Sequence, residues 1–261
     1  NTANGYQALR SNTIGYNNTA NGVNALYGNT DGGQNTGCGL NALYTNQNGS
    51  YNTAIGQNAL RDNTVSYNTA MGWQALRYNT TGTYNTASGL SALESNLTGY
   101  ENVANGAYAL YLNTAGFDNT AMGYAALRDI TGNYNVGIGG YALRYSSANS
   151  QNTAIGYRAG YGASTFSFTQ STIVGSNIYP GQTANRTNVS LLGYGITETQ
   201  CTASNQVCIG NTAVTIIKGQ VAWTTYSDAR IKENIKDDVQ GLDFIMKLKP
   251  VTYNLNPEKQ Y

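Results

Sequence analysis

The stretch NTAIGQNAL at residues 52–60 recurs along the chain with few changes. Closely similar segments are NTANGYQAL at 1–9, NTAMGWQAL at 68–76 and NTAMGYAAL at 119–127. Repetition this strict within one chain indicates a repeat architecture. Aligned on Asn-Thr-Ala, the chain contains ten units in steps of 16 or 17 residues, which begin at residues 1, 18, 35, 52, 68, 85, 102, 119, 135 and 152.

Several positions of the unit hardly vary. Asn is first, Gly is fifth and Ala is eighth in all ten units, and Leu is ninth in nine of them, with Gly160 in the last. Thr is second in eight units, and Val103 and Val136 replace it in the other two. A second Asn recurs at the twelfth place, at Asn12, Asn29, Asn46, Asn63, Asn79, Asn96 and Asn113.

The short period favours a parallel β-solenoid over a helical repeat. Helical repeats run to about 33 residues or more, and they carry apolar stripes that these units lack. One coil of two short strands and two turns fits 16 or 17 residues. Stacked coils place equivalent residues about 4.8 Å apart, so the Asn residues would form an amide ladder and the Leu residues an apolar seam. The invariant Gly permits a positive φ or a close backbone approach.

The expected core of each coil is thin. It comprises one Leu, two small residues and the variable, often apolar residue of the strand, which is Cys38 in one unit. Such a core buries little apolar surface against the entropy of ordering ten coils. Several chains around one axis would bury a second face and the sheet edges. We therefore predict an all-β parallel β-roll or β-solenoid at residues 1–161, in an intertwined homotrimer.

Two of the repeats resemble those of known fibrous proteins. NTAIGQNAL and NTAIGYRAG, at 152–160, resemble the AIG-type head repeats of trimeric autotransporter adhesins and the repeats in phage tail-fibre shafts. The resemblance covers roughly residues 1–161, although the 17-residue spacing is longer than that of the usual adhesin repeat. It implies left-handed parallel β-rolls that interlock in a trimer.

The regular repeat ends after Tyr161. Residues 162–226 contain short β-rich runs such as STIVGS and NVSLLGYGI, bounded by Gly, Asn and Ser. These runs predict an irregular β-rich connector that continues the rod and ends in a β-prism-like arrangement. Trp223 and Ile216–Ile217 are expected to be packing residues.

A third segment, at residues 227–261, differs in composition. It holds 12 of the chain's 27 acidic and basic residues. VQGLDFIMKLK has apolar residues at helical spacing, Pro250 would end that helix, and VTYNL predicts a strand. We therefore expect the beginning of a separate, truncated α+β domain.

The opening of this segment, SDARIKENI, resembles the self-cleaving intramolecular chaperone at the C-terminus of phage tailspikes and tail fibres. The matching pattern is Ser-Asp-x-Arg-x-Lys-x-x-Ile. The resemblance implies a domain that trimerises first and sets the register of three chains, which near-identical coils could otherwise lose by slipping one repeat. It also implies autocleavage at Tyr226–Ser227, with Ser227 as the nucleophile and a neutral Lys232 as its base. Because the family's domain is normally much longer than these 35 residues, cleavage by this chain is left open.

Composition argues against several classes of function. Histidine is absent, so serine and cysteine proteases with a catalytic His and the usual zinc sites are not expected. A net charge of +1 offers no basic surplus for nucleic acid. No apolar run of about 18 residues occurs, so we expect no membrane insertion. We also expect no cofactor, no metal and no enzyme acting on an external substrate. The chain begins at Asn1 inside a repeat and shows no signal peptide, so an N-terminal part is expected to be missing.

The function predicted from these features is that of a phage tail fibre. The chain would form a trimeric shaft of the virion tail that binds a glycan or protein receptor on the host cell. The alternative is a bacterial cell-surface trimeric adhesin or an extracellular filament subunit. The Thr column from Thr2 to Thr153 raises a third class, an ice- or polysaccharide-binding solenoid, although Val103 and Val136 interrupt the column.

Two further sets of residues carry expectations. The tyrosines of the coil loops could stack on sugars, but packing between coils is the favoured interpretation for Tyr16, Tyr51, Tyr100 and Tyr134. Cys201 and Cys208 flank TASNQV and could join two arms of a hairpin as a disulfide.

Overall fold

A computed structural model describes residues 1–145, 150–162, 168–179, 185–197 and 199–218. These residues form strands, turns and loops and contain no helix. The predicted all-β parallel solenoid is therefore confirmed. Asn1–Thr215 form one compact unit. The expected helix and strand of the C-terminal domain, together with Trp223, lie outside the described residues.

Each repeat contributes one three-residue strand, and shorter and longer strands follow. The first ten are β1 (Thr2–Asn4), β2 (Thr19–Asn21), β3 (Thr36–Cys38), β4 (Thr53–Ile55), β5 (Thr69–Met71), β6 (Thr86–Ser88), β7 (Val103–Asn105), β8 (Thr120–Met122), β9 (Val136–Ile138) and β10 (Thr153–Ile155). The later ones are β11 (Phe168–Thr169), β12 (Thr172–Ser176), β13 (Arg186–Thr187), β14 (Ser190–Tyr194) and β15 (Val207–Ile209).

Thirteen of these strands form one parallel sheet. Its order is β1 to β10 in sequence, followed by β12, β14 and β15, and β11 pairs separately with β13. Equivalent residues of successive coils are partners, as in the pairing of Thr2 with Thr19. Beyond the repeats, Thr153 pairs with Thr172 and Thr172 with Ser190. The expectation that the rod continues after Tyr161 is confirmed, whereas the three domain boundaries and the β-prism stay predictions.

The core of the solenoid is built from small residues and one leucine in each coil. The third-place and eighth-place Ala residues and the ninth-place Leu are fully buried from β2 onward wherever those residue types occur. The fourth-place residue, which we expected in the core, instead points outward: Ile55, Met71 and Met122 are 42–44% exposed, and Cys38 is half-buried. The reason is the pleat of the strand, because an inward third residue places the second and fourth outward.

The side chain of the first Asn makes hydrogen bonds both within its own coil and to the next coil. In a central coil, the Asn102 side-chain amide donates to the Gly116 carbonyl oxygen at 2.8 Å, within the same coil. Its Oδ1 accepts the backbone N–H of Asn119, the equivalent residue of the next coil, at 3.1 Å. Because Asn102 is fully buried, these bonds satisfy backbone groups that water cannot reach.

The twelfth-place Asn residues form the predicted amide ladder. Asn96 donates from Nδ2 to Oδ1 of Asn79 in the preceding coil at 2.7 Å, and Asn113 donates likewise to Asn96 at 3.4 Å. Asn96 also donates to the Gly99 carbonyl oxygen of its own turn at 2.9 Å. The interior is therefore held by apolar burial and by a continuous column of side-chain hydrogen bonds.

The fifth-place Gly allows the coils to approach closely. Gly106 has a φ of +137°, and a Cβ there would lie 2.4 Å from the Gly123 carbonyl oxygen. Equivalent contacts run along the stack and continue past the repeats at Gly175, whose Cβ would meet Gly193. No L-residue other than glycine fits this column without displacing the backbone of the next coil.

Candidate functional surfaces

The predicted autocleavage residues cannot be placed. Tyr226, Ser227 and Lys232 all lie outside the described residues. Their roles therefore stay predictions.

The structure brings the two C-terminal cysteines together as free thiols. Cys201 is fully buried in the hydrophobic core, and Cys208 lies in β15, where its thiol donates to the Gln200 carbonyl oxygen at 3.5 Å. The pKa of the Cys201 thiol is raised to about 12, chiefly because the thiol is buried. Hydrogen bonding and electrostatic interaction with Cys208 raise this pKa further. A thiol of such high pKa forms little thiolate at neutral pH. The predicted Cys201–Cys208 disulfide stays a prediction.

The loop tyrosines pack between coils, as we expected: Tyr51, Tyr100 and Tyr134 lie against aromatic rings, and Tyr16 lies against Gly33 of the next coil. The Tyr51 and Tyr67 rings stack with centroids 5.1 Å apart, and Tyr67 and Tyr84 stack at 5.0 Å. Tyr100 stacks on Phe117 at 4.8 Å, and Phe117 meets Tyr134 edge-on. These distances match the spacing of adjacent coils, so the rings form two aromatic stacks along the solenoid, one from Tyr51 to Tyr84 and one from Tyr100 to Tyr134.

The C-terminal end of the described residues differs from our prediction of packed side chains there. Ile216 and Ile217, which we expected to be packing residues, are 65% and 55% exposed. They follow β15, the last rung of the sheet, and none of the described residues forms a further rung beside them.

One exposed surface is the outer side of the parallel sheet. We define the sheet face as the second and fourth residues of the coils, and the corresponding residues of β12, β14 and β15. Its second column is the predicted Thr column, in register from coil to coil. Its fourth column becomes apolar towards the C-terminus, with exposed side chains at Met122, Ile138, Ile155, Leu192 and Ile209. A continuous apolar stripe of this kind is characteristic of an interaction surface.

A second surface, which we did not predict from the sequence, lies beside the buried Leu seam. The tenth residue is Arg or Tyr in nine of the ten units, and Glu94 is the exception. These periodic Arg and Tyr residues are visible in the sequence, but the sequence does not show which other residues lie beside them in the fold. We define the lateral groove as the seventh, tenth and eleventh residues of the coils.

Two cavities lie along the lateral groove. One, of about 300 Å³, is lined by Tyr108, Tyr111, Tyr124, Ala125, Arg128 and Arg144. The other, of about 400 Å³, is lined by Asn24, Asn41, Tyr44, Thr45, Arg61 and Asp62. Except for Tyr124, which is a sixth-place residue, every one of these side chains belongs to the seventh, tenth or eleventh column.

The described residues give no indication of a metal site. No group of three or more His, Cys, Asp or Glu residues within them could hold an ion. Among the same residues, no helix is long and apolar enough to cross a membrane.

Asn1–Thr215 thus form a β-solenoid, and the charged segment at residues 227–261 comes after it in the sequence. Residues 227–260 match the family model described as chaperone of endosialidase. This match covers the segment in which the sequence resembled the phage chaperone, and with the β-solenoid it fits a tail fibre or tailspike with a C-terminal chaperone. No curated protein and no solved structure matches the chain. The chaperone segment is therefore the part of the chain that connects it with a known family.

Proposed function

We propose that the chain is the shaft of a phage tail fibre, assembled from three copies and used for attachment to the host cell. The observation that carries the proposal is the match of residues 227–260 to the chaperone of endosialidase, directly after a β-solenoid. The location that follows is the virion tail. The bacterial cell-surface alternative shares the solenoid and stays open as a prediction.

The sheet face is the surface by which we propose that the copies associate. Its fourth column is apolar over successive coils, whereas the lateral groove on the neighbouring side is charged and aromatic. Packing of sheet faces from three copies would remove this stripe from water, and it would supply the apolar burial that the thin Ala and Leu core lacks. The occupant of this face is thus a second copy of the same chain.

A charge in the middle of the sheet face is expected to prevent association. Ile138→Glu places a carboxylate in the apolar column between Met122 and Ile155, where burial against another copy would strip it of water. We expect three chains per particle for the parent protein and one for the variant, measured as molar mass by light scattering. Leu97→Glu is the matched control, because Leu97 is 44% exposed and lies outside the sheet face. A solitary parent chain, or a trimeric Ile138→Glu variant, would contradict this interface.

We also propose that the chaperone segment aligns the three chains and is then released. A ladder of equivalent coils pairs almost equally well one repeat out of step, so a separate trimerising segment would set the register. In the proposed cleavage, the Ser227 hydroxyl attacks the Tyr226 carbonyl carbon, and Lys232 takes the hydroxyl proton. The peptide nitrogen leaves with a proton, and water then hydrolyses the resulting ester.

Intact-mass measurement tests the cleavage. The parent chain is expected to yield a product that ends at Tyr226, whereas Ser227→Ala and Lys232→Ala are expected to stay full-length. Thr225→Ala is the control, since it removes a neighbouring hydroxyl that has no role in the proposed reaction. Cleavage that persists in Ser227→Ala, or a parent chain that remains uncut after trimerisation, would refute autocleavage by these residues.

A further inference from the structure

The lateral groove concentrates the positive charge of the solenoid. Six of the eight Arg and Lys residues in the described part of the chain lie on it, namely Arg10, Arg61, Arg77, Arg128, Arg144 and Arg158. Three of them have carboxylate partners: Arg61 pairs with Asp62 at 2.6 Å, Arg77 with Glu94 at 3.9 Å and Arg128 with Asp129 at 3.2 Å. The groove therefore keeps a surplus of three guanidinium groups in a chain whose net charge is only +1.

Two of these surplus groups lie in the C-terminal half of the groove, among tyrosines. The Arg144 Cζ is 5.0 Å from the Tyr141 ring centroid and 4.4 Å from that of Tyr145. The Arg158 Cζ is 5.1 Å from the Tyr157 centroid. The rings hold the guanidinium planes in place. Arg158 also donates from one Nη atom to the Tyr179 hydroxyl at 3.5 Å, a bond in which its Nε takes no part.

The same two arginines retain unused hydrogen-bonding capacity. The Nε atoms of Arg144 and Arg158 are buried and have no hydrogen-bond partner among the described residues. Arg144 also lines the 300 Å³ cavity, with Tyr108, Tyr111 and Tyr124. A buried guanidinium N–H without a partner is costly, and a planar anion such as a carboxylate can accept from it in a forked geometry.

The tyrosines of this region offer surfaces suited to sugar rings. Tyr108 meets Tyr124 edge-on with centroids 6.0 Å apart, and Tyr124 meets Tyr141 in the same way at 5.2 Å. Edge-on packing leaves part of each ring uncovered, and Tyr124 and Tyr157 are 48% and 46% exposed. A tyrosine presents an apolar ring with a polar tip, which matches the mixed apolar and hydroxyl surface of a pyranose.

The groove is also linear. Its two cavities lie on the same columns of the coil, one near Asn24 and Arg61 and the other near Tyr108 and Arg144. Equivalent positions recur about every 4.8 Å along the solenoid. An extended polymer lying in the groove would therefore meet a new set of side chains from the same columns at each coil, with the spare arginines at only some of them.

From these observations we propose that the lateral groove binds a linear, carboxylate-bearing polysaccharide, with Arg144 and Arg158 on its carboxylates and Tyr108, Tyr111 and Tyr124 against its sugar rings. This inference rests on the proposed function, since it names the chemistry of the host receptor. Three spare guanidinium groups over ten coils suit a polymer with well-separated charges. They are few for a nucleic acid strand, which carries a phosphate on every nucleotide.

Calorimetric titration of the assembled protein with an oligogalacturonate of defined length tests the proposal. The expected result is saturable binding that weakens as salt is raised and is lost when the oligosaccharide is methyl-esterified. Arg144→Gln and Arg158→Gln are each expected to raise Kd about tenfold or more. Lys218→Gln, which removes an exposed positive charge outside the groove, is the matched control and should leave Kd unchanged.

The molar mass of the same sample separates this inference from the shaft proposal. A trimer that does not bind oligogalacturonate, or that binds the methyl ester equally well, overturns the groove assignment and leaves the shaft intact. Binding by a monomer supports the groove and counts against the trimeric shaft. Tighter binding of a single-stranded oligonucleotide of equal charge would overturn the polysaccharide in favour of a nucleic acid. Folding of each variant is checked by its circular dichroism spectrum and melting temperature, and Tyr111→Leu gives a second, uncharged test of the same groove.

Discussion

Gly139→Ala is expected to destabilise the solenoid by more than about 3 kcal/mol, whereas Gly140→Ala, at the next residue, is expected to be nearly neutral. Gly139 has a φ of +121°, and its Cβ would lie 2.5 Å from the carbonyl oxygen of Gly156 in the following coil. Alanine there would combine an unfavourable backbone conformation with a collision between two coils. The collision cannot be relieved by a side-chain rotation, because the atom in the way belongs to the backbone.

Gly140 is the matched control for this substitution. A Cβ at Gly140 would meet the Tyr157 ring at 3.5 Å and the Tyr124 carbonyl oxygen at 4.0 Å, which are ordinary contact distances. The free energy of unfolding, measured by chemical denaturation at one protein concentration for both variants, gives the comparison. Similar values for the two variants would show that the close approach of the fifth-place glycines does not limit the stability of the stack.

The second large effect is expected from the buried asparagine that opens a central coil. Asn102→Ala removes the donor to the Gly116 carbonyl oxygen and the acceptor of the Asn119 backbone N–H. Two buried backbone groups would then lack partners, at about 1–3 kcal/mol each. We expect a total loss of about 3–5 kcal/mol in the free energy of unfolding.

Asn48→Ala provides the comparison for that loss. Asn48 is exposed, lies outside the sheet face and accepts a hydrogen bond from the Thr30 hydroxyl at 3.2 Å. Its replacement is expected to change the free energy of unfolding by less than about 0.5 kcal/mol. If both variants unfold at the same denaturant concentration, buried side-chain hydrogen bonds would not be what holds the coils together.

The coil and its ladders could be predicted because they follow from local repetition. The invariant first Asn, fifth Gly and ninth Leu identify equivalent places, and parallel stacking then brings each residue above its counterpart. The same logic extends to the later rungs, where an apolar pair precedes Gly175, Gly193 and Gly210. We interpreted these rungs as irregular because the regular repeat is lost after Tyr161. In the structure, their strands begin 19, 18 and 17 residues after the preceding ones.

The direction of the fourth-place side chain was predicted wrongly from the sequence. Apolar residues such as Ile55 and Met122 suggest a core position, and composition alone favours burying them. In the structure, the fully buried Ala54 and Ala121 occupy the inward position, so their neighbours must face outward. The lateral groove could not be predicted either, because it depends on the seventh and tenth columns lying side by side in the folded coil.

The sequence by itself determined that the chain coils with a 16- or 17-residue period, that asparagine ladders and a leucine seam run along it, and that a chaperone segment follows. Only the tertiary structure decided which side chains face outward and which columns adjoin. The coil turns through left-handed residues such as Leu93 and Leu110, with φ values of 51° and 50°, which leucine seldom adopts on its own. Local propensity disfavours these turns, and they persist because the stacked coils bury each leucine completely.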